Sequence, residues 1–165
     1  MTNILTSLPF SVSTTLTRPA NTTAYTAGDA ITDSTSAPTA LQFTGTGISG
    51  SGILRISHAT IAKSGVNLET FQLWLFNSSP TATNDNAAFT LTDADNDACV
   101  GVLTFGTGLT AVNNSYYHLA NLDVRIQTTS TSQVIYGLLK GAAGFTPVSA
   151  ETFKITLKGD ILFTL

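Results

Sequence analysis

The stretch ETFKITLK, residues 151–158, alternates apolar and polar side chains. Its apolar members Phe153, Ile155 and Leu157 occupy every second position, with lysine or threonine between them. A period of two places the apolar set on one face of a β-strand and the polar set on the other. The stretch therefore predicts a strand with one face in a core and one face in solvent.

Similar segments recur along most of the chain. Leu122, Val124 and Ile126 repeat the alternation, and other short apolar segments are bounded by Gly, Asn, Asp, Ser or Pro. The candidate strands are Leu41–Thr44, Gly52–Ala62, Phe71–Asn77, Ala88–Thr92, Cys99–Phe105, Leu119–Thr128, Gln133–Lys140, Glu151–Leu157 and Asp160–Thr164. Leu109–Leu119 is a candidate helix, although its composition favours helix poorly.

Eight or nine strands without helical crossovers predict an all-β fold, an antiparallel two-sheet β-sandwich that is jelly-roll-like. Residues 1–40 are rich in Thr, Ser, Ala, Asn and Pro, and they predict an extended N-terminal arm with loops. Residues 41–165 are then the β-sandwich domain, and the 165 residues form one globular domain overall.

The composition is poor in charge and rich in hydroxyl groups. Only 10% of the residues are charged, whereas Thr contributes 29 and Ser 15. A surface with few charges loses little hydration when a partner covers it. The net charge of −3, without a basic cluster, argues against a nucleic-acid partner. The apolar runs are too short to span a bilayer, so no membrane partner is expected, and MTNILTSLPF does not resemble a signal peptide.

The most enzyme-like segment is TDADND, residues 92–97, where carboxylates alternate as in a calcium loop. An EF-hand needs glycine at the sixth position and glutamate at the twelfth, but Ala98 and Thr104 stand there. A solvated acidic loop between two strands is the preferred interpretation, and a looser metal site stays open.

The remaining reactive residues lack partners at a useful spacing. His58, His118 and Cys99 form no metal-ligand pattern, and no nucleophile motif such as G-x-S-x-G is present. We therefore predict no enzyme activity, no catalytic residues, no metal and no cofactor. Tyr116 and Tyr117 could form a sugar-stacking platform, or they could fill a sandwich edge or a subunit interface.

One segment resembles a known family. TLTRPANTTAYTAGDAI, residues 15–31, resembles a T-R-P-A-x-T-x-Y-x-x-G-D-x-I pattern near the start of many small tailed-phage virion proteins. The matching residues are Thr17, Arg18, Pro19, Ala20, Thr22 or Thr23, Tyr25, Gly28, Asp29 and Ile31. Two supporting stretches are Pro80 with Asn84–Phe89, Leu91, Asp93 and Val100–Gly101, and, near the end, Val134–Leu139.

The resemblance implies a capsid decoration, or cement, protein of a bacteriophage with a jelly-roll-like fold. Such a protein binds the outside of an assembled head, bridges neighbouring capsomers and has no cofactor. Its implied partners are the major capsid protein and itself, as a dimer or trimer. Its implied location is the outer capsid surface of the virion, assembled in the bacterial host cytoplasm. The alternative is a glycan- or calcium-binding β-sandwich module of a phage tail or adhesin.

Within the resembling segment we predict a capsid or subunit interface at Thr17, Arg18, Pro19, Asn21 and Tyr25. Arg and Tyr are enriched among interface residues that contribute most to binding. A second interpretation fits equally well: Arg18-Pro19 makes a turn, and Tyr25 faces inward and closes the bottom of the sandwich.

Overall fold

The computed structural model describes residues 5–46, 53–127 and 134–164. These residues form strands with one short helix. The elements are β1 (Leu5–Thr17), β2 (Ala30–Ile31), β3 (Leu41–Phe43), β4 (Ile53–Ser64), β5 (Phe71–Phe76), α1 (Asp93–Ala98), β6 (Cys99–Phe105), β7 (Leu109–Thr110), β8 (Asn114–Leu119), β9 (Val124–Gln127), β10 (Ile135–Gly141) and β11 (Thr152–Thr164).

The strands form two antiparallel sheets. The first has the order β1-β11-β4-β8-β7, and β9 pairs with the part of β4 that β8 leaves free. The second has the order β2-β10-β5-β6, and β3 also pairs with β10. Along the chain, β1, β4, β7 to β9 and β11 belong to the first sheet, whereas β2, β3, β5, β6 and β10 belong to the second, so the chain crosses repeatedly between the two sheets. The predicted antiparallel sandwich is confirmed.

The core lies between the two sheets and explains the alternation in residues 151–158. Phe153, Ile155 and Leu157 are fully buried, whereas Lys154 and Lys158 are exposed. Aromatic and aliphatic side chains of β5 and β4 meet them in one continuous cluster. Burying large apolar side chains from both sheets is the main stabilising contribution to such a sandwich.

In the described part of the first forty residues, β1 is extended and residues 18–40 are mostly loops, and β1 is built into the sandwich. β1 pairs with β11 over its full length, from Leu5 opposite Thr164 to Thr17 opposite Thr152. Phe10, Val12 and Leu16 of β1 are buried in the shared core, whereas Ser7, Ser11, Ser13, Thr15 and Thr17 are exposed. The chain on both sides of position 40 therefore belongs to one core, and β1 is not a detached arm.

The two final candidate strands form one strand, β11, with an irregularity between Lys158 and Gly159. A side chain at position 159 would place a Cβ atom 1.8 Å from the backbone oxygen of Arg55. Only glycine allows this close approach of two backbones. The glycine that separated the two segments in the sequence therefore marks a bulge within one strand.

Three local predictions differ from the structure. Leu109–Leu119 contains β7 and β8 instead of a helix, because its Thr, Val and Asn residues favour helix poorly. Ala88–Thr92 is not a strand, and Ala88 makes only an isolated bridge to Asp29. In the prediction Leu119–Thr128, Leu119 ends β8 and Val124–Gln127 forms β9, whereas residues 120–123 between them are not strand. Gly52, Thr128 and Gln133, at the ends of predicted strands, lie outside the described residues.

Candidate functional site

Arg18 and Tyr25, the predicted interface anchors, are buried at 2% and 3% exposure. The Arg18 guanidinium lies 3.1 Å from Asp85 Oδ2, and its Nε donates to the Tyr25 hydroxyl. That hydroxyl donates to Asp85 Oδ1 over 2.6 Å. Neither side chain is presented to a partner in this fold. Tyr25 faces inward, as the second interpretation of this segment had it.

We call Arg18, Tyr25 and Asp85 the arginine cluster. The backbone N–H of Thr32 donates to Asp85 Oδ1 over 3.0 Å, so this carboxylate binds three different groups. Burial, and then the hydrogen bond to Asp85, raise the pKa of Tyr25 far above its ordinary value. Tyr25 therefore stays neutral and keeps its proton for Asp85. The cluster joins loops that are distant in the sequence, and its role within the protomer is structural.

Parts of the three stretches that carry the family resemblance lie next to one another in the fold. In the first two, the Ala30 N–H donates to the Ala87 carbonyl over 2.8 Å, and the Phe89 N–H donates to the Gly28 carbonyl over 3.0 Å. The third stretch joins them through β10, which pairs with β2. Parts of all three stretches are therefore adjacent, whereas Val100 and Gly101 of the second stretch lie on β6, at the opposite edge of this sheet from β2.

The other predicted interface residues are less buried. Pro19 and Asn21 are half-buried, and Asn21 Oδ1 accepts a hydrogen bond from the Thr23 N–H over 3.1 Å. Thr17, at the end of β1, is exposed. Of the five predicted residues, Thr17 alone is exposed.

Thr17 belongs to a row of exposed hydroxyl groups along β1. We define the hydroxyl face as Ser11, Ser13, Thr15 and Thr17, which alternate with core residues and point away from the second sheet. β1 pairs with β11 on one side only and lies at the edge of its sheet. The row is uncharged and offers a donor and an acceptor at every second residue.

A second buried ionic group lies in the same sandwich. Lys63 Nζ lies 2.9 Å from Glu69 Oε1 and 2.8 Å from Glu151 Oε1, and all three side chains are at most 2% exposed. We call these residues the lysine cluster. Glu69 Oε2 and Glu151 Oε2 are buried and accept no hydrogen bond from the described residues. Burial raises the pKa of both carboxyl groups, and Lys63 opposes that rise.

Sequence reasoning missed this cluster, although one signal was present. Lys63 follows Ile61 at an inward-facing position of β4, so its side chain had to enter the core. A buried ammonium requires acidic partners. Glu69 and Glu151 are the only glutamates in the chain, and both occupy that role.

Above the lysine cluster, one end of the sandwich exposes large apolar side chains. We define the apolar end as Val66, Leu109, Val112, Tyr116 and Val148, which are 45%, 74%, 91%, 46% and 51% exposed. Leu109 and Tyr116 line a groove of about 410 Å³. Val66, Val112 and Val148 line a neighbouring groove of about 390 Å³, and Ser64 borders both. Contiguous exposed apolar surface of this kind marks an interaction site.

The apolar end also escaped the sequence reasoning. Residues 98–122 and 141–150 contain no Asp, Glu, Lys or Arg. Where such an uncharged segment lies outside the core strands, it indicates a surface that a partner covers. Their meeting at one end depends on the fold.

The acidic segment TDADND forms a short helix, α1, instead of a loop. Thr92 caps it: its hydroxyl accepts from the Asp95 N–H, and the Asp95 carboxylate accepts from the Thr92 hydroxyl over 2.7 Å. These hydrogen bonds, led by the one from Thr92, lower the pKa of Asp95. Asp95 is buried, whereas Asp93 and Asp97 are exposed. Among the described residues, no three His, Cys, Asp or Glu side chains come together as metal ligands.

Tyr116 and Tyr117 lie on opposite faces of β8 and do not form a two-ring platform. Tyr116 is exposed, whereas Tyr117 is buried and donates to the Asn67 carbonyl over 3.2 Å. Burial raises the pKa of Tyr117. The exposed rings of His58 and His118 stack on neighbouring strands with centroids 5.9 Å apart. Cys99 begins β6 as predicted and is half-buried.

In the described part of the chain, no helix is long and apolar enough to cross a membrane. The sequence matches no protein-family model, and no curated protein is significantly similar to it.

Proposed function

We propose that this chain is a non-enzymatic structural protein of a phage virion that binds the outside of an assembled head and stabilises the capsid. Its partners are the major capsid protein and further copies of itself, with no nucleic acid, membrane or cofactor involved. Its location is the outer capsid surface, after synthesis in the bacterial host cytoplasm. The observation that supports the proposal is that parts of the three family-like stretches lie next to one another in an antiparallel β-sandwich.

The hydroxyl face is the surface we assign to head binding. The four side chains of this face carry no charge of their own, although the exposed Lys158 and Lys154 of β11 stand opposite Ser11 and Thr15 on the same face of the sheet. A partner that covers the row therefore meets uncharged hydroxyl groups bordered by two lysines, whose charged ends can stay in water on their flexible side chains. Many copies on a symmetric lattice add modest contacts into strong overall attachment. Binding the assembled shell but not free subunits stabilises the shell by mass action.

The test compares heads with and without this protein. In virions of the phage that encodes the chain, we expect immunogold label on the head, and heads from a phage lacking the gene should break at lower temperature. Adding the purified protein should restore the wild-type midpoint. Absence from the virion, label on the tail alone, or equal stability of both heads would overturn the proposal.

A matched pair of variants tests the assigned surface. Replacing Ser13 and Thr15 by glutamate places two charges on the hydroxyl face and should weaken head binding by about tenfold or more. Thr104→Glu places a charge at an exposed site on β6 of the second sheet and should bind like wild type. Equal binding by both variants would remove the hydroxyl face from the contact.

A further inference from the structure

We propose that the apolar end is a self-association surface, covered in solution by the same end of further copies of this chain. Val112 and Leu109 are 91% and 74% exposed in the protomer, and Val148 is 51% exposed. Three aliphatic side chains this open, beside two grooves, would leave a contiguous apolar surface in water. Covering it is favourable in proportion to the apolar area removed from water.

The absence of charged residues in the loops of the apolar end favours a second copy of this chain as its partner. The loops that form this end contain no Asp, Glu, Lys or Arg between residues 98 and 122 or between 141 and 150. Lys63, Glu69 and Glu151 are buried beneath it, and the exposed Lys154 stands opposite Ala62 at the margin of the larger groove. Two copies with a net charge of −3 each can therefore meet through these loops without placing like charges at the centre of the contact. An identical uncharged surface suits a closed symmetric oligomer, in which each copy presents the same patch.

The surface has the layout of an interface core with a polar rim. Asn67, Asn113 and Asn114 are exposed around the aliphatic side chains. Protein interfaces commonly combine an apolar centre with such a rim.

The loops are also fixed before binding. Ser115 Oγ donates to the Gly65 carbonyl over 2.7 Å, and Asn67 Nδ2 donates to the Thr146 carbonyl over 2.6 Å. The Gly65 N–H in turn donates to the Asn113 carbonyl over 2.9 Å. These bonds tie the three loops together, so association orders few new groups and loses less entropy.

The choice of a second copy over the head surface rests on the proposed function. A decoration protein meets its shell only after the shell has assembled, whereas copies of itself are present from synthesis onward. An exposed apolar patch invites aggregation in the interval unless it is covered. The hydroxyl face has no such apolar patch, so it can stay in contact with water until the head has assembled.

The experiment measures the association of the full chain by sedimentation equilibrium. Wild type should form a dimer or trimer at micromolar concentration. Leu109→Asp with Val112→Asp should weaken association by about a hundredfold or more, because each buried aspartate would lose its water without gaining a partner. Both side chains are exposed in the protomer, so circular dichroism should be unchanged. Leu8→Asp, at a 52% exposed site on β1, is the control and should associate like wild type.

A monomeric wild type, or a double variant that associates as tightly as wild type, would overturn the inference. An oligomeric double variant that no longer binds heads would assign the apolar end to the shell, which overturns the inference and leaves the proposed function standing. Wild-type oligomers that dissociate on Leu109→Asp with Val112→Asp but never bind heads would overturn the proposed function alone.

Discussion

Asp85 holds the arginine cluster together at the residue scale, because within the described segments its carboxylate is the one negative charge that binds the buried Arg18. Asp85→Asn keeps the shape but removes that charge. We expect a loss of about 3–5 kcal/mol in the free energy of unfolding, as is typical when one partner of a buried ion pair is removed. Urea denaturation of wild type and of the Asp85→Asn variant measures this difference in the free energy of unfolding. Asp123→Asn, which breaks an exposed pair with Arg125, is the control and should change little.

Glu69 gives the lysine cluster a pH dependence. Its pKa is raised above the ordinary value near 4.5, chiefly by burial, and Lys63, Glu151 and Tyr117 surround it. A carboxyl with a raised folded pKa binds its proton more tightly when folded. Its contribution to stability is therefore complete below about pH 4.5 and is lost as pH rises through the folded pKa.

Glu69→Gln removes this titration and keeps the side-chain shape. We expect the variant to become more stable relative to wild type as pH rises from 4 to 8, as measured by denaturation at each pH. A difference that stays constant with pH, or that shifts in favour of wild type, would contradict the raised pKa. Asp123→Asn again serves as the control, since its exposed carboxylate lies outside the cluster.

At the scale of elements, the bulge in β11 depends on one glycine. A Cβ atom at position 159 would lie 1.8 Å from the Arg55 carbonyl oxygen of β4. Gly159→Ala forces the two central strands apart and should destabilise the protein by about 1–3 kcal/mol or more. Gly106→Ala is the matched control, because nothing lies within 4 Å of the added Cβ. Equal thermal midpoints for the two variants would contradict the close approach.

β1 tests whether the N-terminal segment is part of the core. Leu16 is 4% exposed and Leu8 is 52% exposed on the same strand. Leu16→Ala should cost about 2–5 kcal/mol, because it removes buried methyl groups and leaves a cavity. Leu8→Ala should stay within about 0.5 kcal/mol of wild type. If both substitutions were equally mild in urea denaturation, β1 would not be packed as the structure has it.

The integration of β1 also changes how head binding can be tested. Deleting residues 1–30 would remove β1, and with it Phe10, Val12 and Leu16 from the core. Loss of binding in that deletion would report a damaged fold. Surface charges on the hydroxyl face probe the same region and leave the core intact.

At the scale of the whole molecule, the first and last strands are neighbours. β1 pairs with β11 from Leu5 opposite Thr164 onward, so most of the chain must be looped before these strands meet. Folds dominated by such distant pairings refold in about milliseconds to seconds. Stopped-flow refolding from urea should fall in that range, and a microsecond main phase would contradict it.

The sequence by itself determined the fold class and most strands. The alternation of Phe153, Ile155 and Leu157 and the apolar run of Phe71–Phe76 are local patterns, and a strand's side-chain period is a local property. β1 was harder to recognise because Pro9 interrupts its pattern and serine and threonine fill its outer face. The acidic composition of residues 92–97 favours a loop, whereas the structure has the helix α1 there, and the signal for it is the capping-box spacing of Thr92 and Asp95.

Only the tertiary structure decided which side chains are available for binding. Arg18 and Tyr25 have the residue types of an interface, yet Asp85 draws them inside from 67 and 60 positions away in the chain. Conversely, Val112 and Val148 look like ordinary core residues in the sequence and lie exposed at one end. Contacts between segments that are distant in the sequence determine whether a side chain is buried. A local sequence pattern predicts only on which face of a strand the side chain lies, because it contains no information about what covers that face.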